Sequence, residues 1–315
     1  MDSAEETGIT LLGTPYSAKL RALYNAVSSS YSRPIRVEPK ATASDNSVEV
    51  RRSEIVLQLR PGSTEDNVAH ELLHPILQKE GFPQCFSLQH SKLSKSLADL
   101  IRADLDHLII NRRLRDLGYD PHAGFLRSAE TYSNVVKMAP PTDVNQMTIF
   151  SIVILHELLK YHYYIADPAA EGALLQAFPL VTREWLELKP VIDRIPDVAK
   201  PADLWRVAEQ FTVIANRTCR NNAAQFIFCD HIGYSPVSID QSELARKARR
   251  VFELSMEAYP NGGTLVRTFL RRTRIMVHAQ VFETTAQIHR DLDLIASEYV
   301  RRYQVPVVIV SESGS

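Results

Sequence analysis

The residues with the clearest chemical potential lie in the stretch NVAHELLHPILQKEGFP, residues 67–83, where His70, Glu71 and His74 form an HExxH pattern. On an α-helix, residues four apart lie about 40° apart around the axis and ~6 Å apart along it. His70 and His74 can therefore direct two imidazoles at one metal ion, as two ligands of a tetrahedral zinc require. Glu71 lies about 100° round from His70, where its carboxylate can accept a proton from a metal-bound water. The spacing predicts a catalytic zinc site.

The helix that carries this pattern is predicted to be buried. Apolar residues frame it: Val68, Ala69, Leu72, Leu73, Ile76 and Leu77. Two histidines and a glutamate on a buried helix need partners, because an unpaired polar group costs free energy when it is removed from water. The alternative is a surface helix that carries these residues without a metal, and the apolar frame favours the metal.

Pro75 directly follows the second histidine. A proline inside a helix removes one hydrogen bond and strains the preceding turn, at a cost of about 3 kcal/mol. We therefore expect either a kink after His74 or a helix that ends close to the motif.

With this motif the sequence resembles the zincin metallopeptidases, in a gluzincin-like form, over residues 17–118. The resemblance implies a small catalytic core made of a helix, a short β-sheet, the HExxH helix and a second helix. It also implies that His70 and His74 bind Zn²⁺, that Glu71 is the general base, and that the strand before the motif lines a substrate cleft. The extended metzincin pattern does not fit, since Leu77 and Glu80 stand where that group has glycine and histidine.

A catalytic zinc needs a third protein ligand, and zincins usually take it from the next helix. That helix is predicted over residues 92–117, and steps of about 100° place His107, Asn111 and Asp104 in the middle of its apolar face. His107 is the first candidate ligand and Asp104 the alternative, while Asn111 is expected to hydrogen-bond a ligating imidazole. A structural hydrogen bond between His107 and Asp104 is the other interpretation. Asp106 falls outside the face and is predicted to be a solvated ion-pair residue.

A second His-Glu-Leu-Leu occurs in VILHELLKYHYY, but Lys160 stands where the second ligand would be. An ammonium group has no lone pair to offer a cation. This segment is therefore predicted to be a core helix, with Glu157 and Lys160 paired on an exposed edge.

A zincin site also needs a donor for the oxyanion that forms when water attacks a carbonyl. The candidates are His231 and Tyr234, in the stretch CDHIGYS, which is predicted to be a loop after a helix. His122 and Tyr132 fit equally well by position.

The order of these patterns predicts an α+β, mostly helical protein with two regions. Helices are expected at residues 17–28 and from about residue 64, with three short strands (PIRVE, SVEVRR and SEIVLQLR) between them. Beyond Pro140, helices are predicted at residues 144–165, 181–192, 202–219, 242–258 and 265–303. We expect a zincin-like metal-binding region at residues 1–140 and an all-helical region at residues 141–315.

The bulk composition narrows the class of partner. The 315 residues carry 36 basic and 37 acidic side chains. The chain therefore has no strong net electrostatic field that would attract nucleic acid or an anionic membrane. The arginine-rich stretch RTFLRRTRIMVHAQ is predicted to be a solvated helix face paired with Asp291, Asp293 and nearby glutamates. The acidic N-terminus is unlike a secretory signal, charged residues interrupt the longest apolar stretch, and the three cysteines show no CxxC spacing. These features predict a cytoplasmic protein without a membrane span.

Two functions follow as expectations. The first is a zinc metallopeptidase that acts on a peptide or protein substrate, with Glu71 as general base. The second is a catalytically inactive zincin-fold scaffold that regulates or binds another protein. They differ in whether Glu71→Gln abolishes the biological effect.

Overall fold

The structure is a computed structural model and describes residues 10–11, 14–15, 17–40, 46–88, 92–120, 137, 139–165, 167–222, 228–259 and 262–310. Its architecture is mixed α+β with a helical majority, as expected. By its internal contacts the chain divides into two compact units. The first comprises Met1–Glu80 and Asp106–Ser133, and the second comprises Gly81–Leu105 and Asn134–Ser315. The division at residue 140 stays a prediction, and the contacts group residues 81–105 with the C-terminal part.

The first unit contains the elements that surround the HExxH motif. In chain order they are β1 (Thr10–Leu11), β2 (Thr14–Pro15), α1 (Ala18–Tyr31), β3 (Ile35–Pro39), β4 (Ser47–Val50), β5 (Ile55–Leu59), α2 (Glu65–Glu80) and the end of α3 (Lys92–Asp116). The sheet has the order β3-β5-β4, with β3 parallel and β4 antiparallel to β5. The central strand reads IVLQL, is almost entirely buried and is paired on both of its edges. The predicted helix, strands and HExxH helix are confirmed.

Helix α2 carries the motif and continues through Pro75 to Glu80. Of the two expected alternatives, a helix that ends close to the motif is therefore wrong, and a kink after His74 stays a prediction. The Tyr31 hydroxyl donates to the Pro75 carbonyl oxygen at 2.7 Å, which ties α1 to this part of α2. At the other end of α2, the Ser17 backbone N–H donates to the Glu65 carboxylate at 2.6 Å. These two contacts hold the motif helix against α1.

Helix α3 matches its predicted range closely and ends before Gly118, whose φ of 73° suits a residue without Cβ. Lys19 donates to the carbonyl oxygens of Leu117 and Gly118, both at 3.3 Å. Arg113 donates to the Glu80 carboxylate at 3.0 Å. The end of α3 is thereby fixed against α1 and α2, which positions the side chains of α3 relative to the motif.

The second unit combines helices with strands. Its helices are α4 (Val144–Leu159), a π-helix (Lys160–Ile165), α5 (Pro168–Ala177), a 3₁₀ turn (Pro179–Val181), α6 (Thr182–Asp193), α7 (Pro201–Asn221), α8 (Phe228–His231), α9 (Gln241–Leu244), α10 (Ala248–Val251), α11 (Ala286–Asp291) and α12 (Ala296–Tyr303). Its strands are β6 (Gln84–Ser87), β7 (Ile232–Ser235), β8 (Val237–Asp240), β9 (Phe252–Ala258), β10 (Thr264–Leu270), β11 (Ile275–Phe282) and β12 (Val307–Val310). A five-stranded sheet has the order β6-β7-β11-β10-β9, and β12 pairs in parallel with β8. The all-helical prediction for this region is therefore wrong.

The error arose in the segments that form β9, β10 and β11. TLVRTFL and IMVHAQVF are rich in β-branched and aromatic residues, which favour strands. Gly262 and Gly263, with φ of 93° and 84°, directly precede β10. Because β10 is buried on both faces, it lacks the alternation that identifies a strand in sequence.

The arginine-rich stretch accordingly lies on β10, β11 and their turn. Arg267 is buried on β10 and pairs with Glu257. Arg272 donates to Glu209 at 2.9 Å and to Glu243 at 2.6 Å. These two arginines therefore pair with nearby glutamates, as predicted, but they lie on a strand and in a turn, so the predicted helix face is wrong.

The second His-Glu-Leu-Leu lies on α4 and is buried, as predicted. Glu157 and Lys160 do pair, at 3.5 Å. However, Glu157 is only 7% exposed, so the predicted exposed edge is wrong. The π-helix that begins at Lys160 replaces the end of the predicted α-helix.

Two further observations concern the environment of the chain. Among the described helices, none is both long and apolar enough to cross a membrane. Cys85 and Cys219 are buried free thiols.

Candidate metal centre

Three histidines of the first unit converge. Helix α2 presents His70 and His74 one turn apart, and α3 presents His107. One ligand nitrogen of each lies within 4.8 Å of those of the other two. The predicted convergence of these three side chains is confirmed, and metal binding by them stays a prediction.

The closest approach in this cluster joins His70 and His107. Their Nε2 atoms are 3.0 Å apart, and their ring centroids are 4.7 Å apart. Two nitrogens bound to one tetrahedral zinc at about 2.0–2.1 Å would lie about 3.3 Å from each other. The observed distance is close to that value, and it is also a hydrogen-bond distance between the two rings.

The protonation of His70 also suits a ligand. Burial, with the charge of His74 as a second cause, lowers the pKa of His70 to about 3. At neutral pH His70 is therefore an uncharged imidazole. That form keeps one nitrogen lone pair, which a metal ion requires.

Asp106 differs most from its prediction. It is 0% exposed, and its Oδ2 lies 2.8 Å from Nδ1 of His74, so the solvated ion pair is wrong. Arg102, one turn earlier on the same side of α3, is exposed, but Asp106 is in contact with His74 of α2 and is removed from solvent. A sequence signal was present, since Ile109 and Ile110, three and four residues after Asp106, adjoin it on the helix surface and are buried with it.

Asn111 was expected to hydrogen-bond a ligating imidazole. Its side chain is 2% exposed, and within the described part of the chain neither its Oδ1 nor its Nδ2 has a hydrogen-bond partner. The predicted contact is therefore not formed. Asp106 makes a contact of that kind instead.

Asp104, the alternative third ligand, does not belong to the group of three histidines. Asp104 and His156 both lie in the second unit, where the Asp104 carboxylate contacts Nδ1 of His156. The geometry therefore favours His107 over Asp104 as the third donor.

Glu71 lies next to His70 on α2 and is half-buried. Because α2 is helical from Glu65 to Glu80, Glu71 keeps the position about 100° round from His70 that the motif predicts. Its role as general base stays a prediction.

The oxyanion candidates belong to the second unit. His231 ends α8 and Tyr234 lies on β7, so the loop predicted there is wrong. Tyr234 is fully buried, and this burial raises the pKa of its hydroxyl well above the ordinary value. A phenol without exposed surface suits a core position better than contact with a substrate. His122 and Tyr132 lie outside the described residues.

The donor set narrows the class of metal that the cluster could hold. Imidazole nitrogens suit zinc and other transition metals, whereas magnesium and calcium prefer oxygen ligands. The cluster of His70, His74 and His107 could therefore hold a transition-metal ion such as zinc.

In comparisons with known proteins, the chain matches no protein-family model, no curated protein and no solved structure. The assignment of a protein class consequently depends on the residues and geometry of this cluster.

Proposed function

We propose that this protein is a zinc-dependent metallopeptidase of the zincin type, in which His70, His74 and His107 hold the metal and Glu71 is the general base. One observation supports the proposal above all others: imidazoles from two helices converge within 4.8 Å. A neutral imidazole has one nitrogen lone pair, which it can offer to a metal ion. A single cation satisfies all three.

Zinc, when bound, supplies Lewis-acid chemistry by lowering the pKa of a water in the open position to about 7. The chain's own residues supply the proton transfers. Glu71 is a carboxylate beside His70, and its proposed role is to accept the water proton and deliver it to the leaving amine. The three histidines project from α2 and α3. The Arg113–Glu80 contact ties these two helices together and so helps to keep the imidazoles close to one another.

The substrate is proposed to be an extended peptide. The resemblance to zincins implies that the strand before the motif lines the cleft, but here that strand, β5, is paired on both edges. The strands at the edges of this sheet are β3 and β4, so one of them is the proposed pairing strand. The buried free thiols of Cys85 and Cys219 support the proposed cytoplasmic location.

Metal analysis of protein purified without chelator tests the zinc site. We expect about one zinc per chain in the wild type and in His289→Ala, and a large loss in His70→Ala. His289 is an exposed histidine outside the cluster and serves as the matched control. Less than about 0.2 zinc per wild-type chain, unchanged in His70→Ala, contradicts the zinc site.

Glu71→Gln separates catalysis from scaffolding. The variant should retain zinc, because Glu71 is not a proposed ligand, and should lose cleavage of a quenched-fluorescent peptide library. Zinc-loaded wild type that is no more active than Glu71→Gln contradicts the peptidase. That result supports the alternative, an inactive zincin-fold scaffold that regulates or binds another protein.

A further inference from the structure

The contact between Asp106 and His74 fixes a feature of the cluster that the HExxH pattern does not specify. Asp106 is 0% exposed, and its Oδ2 lies 2.8 Å from Nδ1 of His74. An ionised carboxylate can only accept hydrogen bonds, so Nδ1 of His74 is the donor. A neutral imidazole with its proton on Nδ1 has its lone pair on Nε2.

The other two histidines approach each other through the same type of nitrogen. Nε2 of His70 and Nε2 of His107 are 3.0 Å apart. If His74 also offers Nε2, the cluster presents three Nε2 atoms. Without the Asp106 carboxylate, His74 could carry its proton on Nε2. That nitrogen would then have no lone pair to offer a metal ion.

We propose that Asp106 is a positioning residue of this site, which holds the proton of His74 on Nδ1 and so directs the Nε2 lone pair to the metal. This inference rests on the proposed zinc site. Asp106 directly precedes His107 on α3, so one turn of helix supplies both a ligand and the group that orients another ligand. Groups of this kind commonly change metal affinity by about 10–100-fold when they are removed.

The same helix provides a matched control. Asp104 is also a buried carboxylate on α3, and it contacts Nδ1 of a histidine, His156. His156 does not belong to the cluster that could hold a metal. Asp104→Asn and Asp106→Asn therefore make the same chemical change at two buried aspartate–histidine contacts, only one of which involves a proposed ligand.

The experiment measures zinc affinity of the full chain by competition with a chromophoric chelator. We expect Asp106→Asn to lower the affinity by about 10–100-fold and Asp104→Asn to leave it within about threefold of the wild type. Circular dichroism of each variant shows that it is folded before its zinc affinity is compared with that of the wild type.

A second measurement uses the unaltered protein, so it does not depend on the folding of any variant. In metal-free wild type, ¹⁵N chemical shifts of the His74 ring should show a protonated Nδ1 and an unprotonated Nε2. A protonated Nε2 overturns the inference, and so does an equal loss of zinc affinity in both variants. Zinc binding that is unchanged in Asp106→Asn overturns the positioning role alone, whereas a wild type that binds no zinc overturns the proposed function as well.

Discussion

Zinc should stabilise the folded protein, and the His107→Ala variant should lose this effect. His107 supplies the donor from α3, whereas His70 and His74 share α2. Removal of His107 therefore leaves two donors on one helix and abolishes the link that a metal would make between the two helices. The effect of zinc on unfolding reports that link without knowledge of the substrate.

The magnitude follows from binding linkage and from the contact between His70 and His107. At free zinc about 100-fold above the dissociation constant, binding adds about 2.7 kcal/mol to the free energy of unfolding. At about 2–4 °C per kcal/mol, the midpoint of thermal unfolding should rise by about 5–10 °C. Without metal, His107→Ala leaves Nε2 of buried His70 without its neighbour at 3.0 Å, which should cost about 1–3 kcal/mol.

Differential scanning calorimetry with added zinc and with chelator measures the midpoint, and His289→Ala is the control. Hydrogen–deuterium exchange of Glu65–Glu80 provides a local measurement, since zinc should slow exchange in α2 of the wild type but not of His107→Ala. An equal zinc-induced shift in wild type and His107→Ala would refute the reasoning, because the ion would then bind elsewhere. A shift in neither protein would refute it too.

Two further predictions concern buried polar groups. Asn111→Leu should preserve stability or raise it by about 1 kcal/mol in urea unfolding, because the amide has no hydrogen-bond partner among the described residues; a loss above about 1 kcal/mol would reveal a partner. Burial raises the pKa of Glu171, but hydrogen bonds from Lys189, Trp185 and His162 outweigh it, so the pKa lies below the ordinary 4.5. The stability that Glu171 contributes is therefore present above pH 4.5 and is lost as pH falls through the folded-state pKa. Glu171→Gln should cost about 1.5–3 kcal/mol at pH 7, and this difference should shrink in acid; a constant difference in urea unfolding from about pH 7 to about pH 3 would contradict it.

The parts of the site that sequence predicted are those set by local spacing. His70 and His74 lie one turn apart on any helix. The buried helix α2 was predicted from the apolar residues that surround the motif. His107 was found because it lies among apolar residues of a long helix. These inferences need only the period of a helix and the rule that buried polar groups require partners.

The parts that sequence missed depend on packing by neighbouring elements. Asp106 was assigned to solvent because it shares a side of α3 with Arg102, which is exposed, whereas Asp106 itself is buried against His74 of α2. Strand β10 was missed for a related reason, since it is covered on both faces and shows no alternation. Hydrophobic periodicity reports a boundary between core and water, so it carries no information where that boundary is absent.

The two copies of His-Glu-Leu-Leu differ in one position that decides their chemistry. Both lie on buried helices, and in both a histidine has its Nδ1 next to an aspartate of α3. In the first copy the fourth residue after His70 is His74, which adds a second lone pair that faces the same point as the first. In the second copy that residue is Lys160, whose ammonium pairs with Glu157. Because a cation needs several lone pairs directed at one point, the second copy serves packing, and Lys160→His alone should not create zinc binding there.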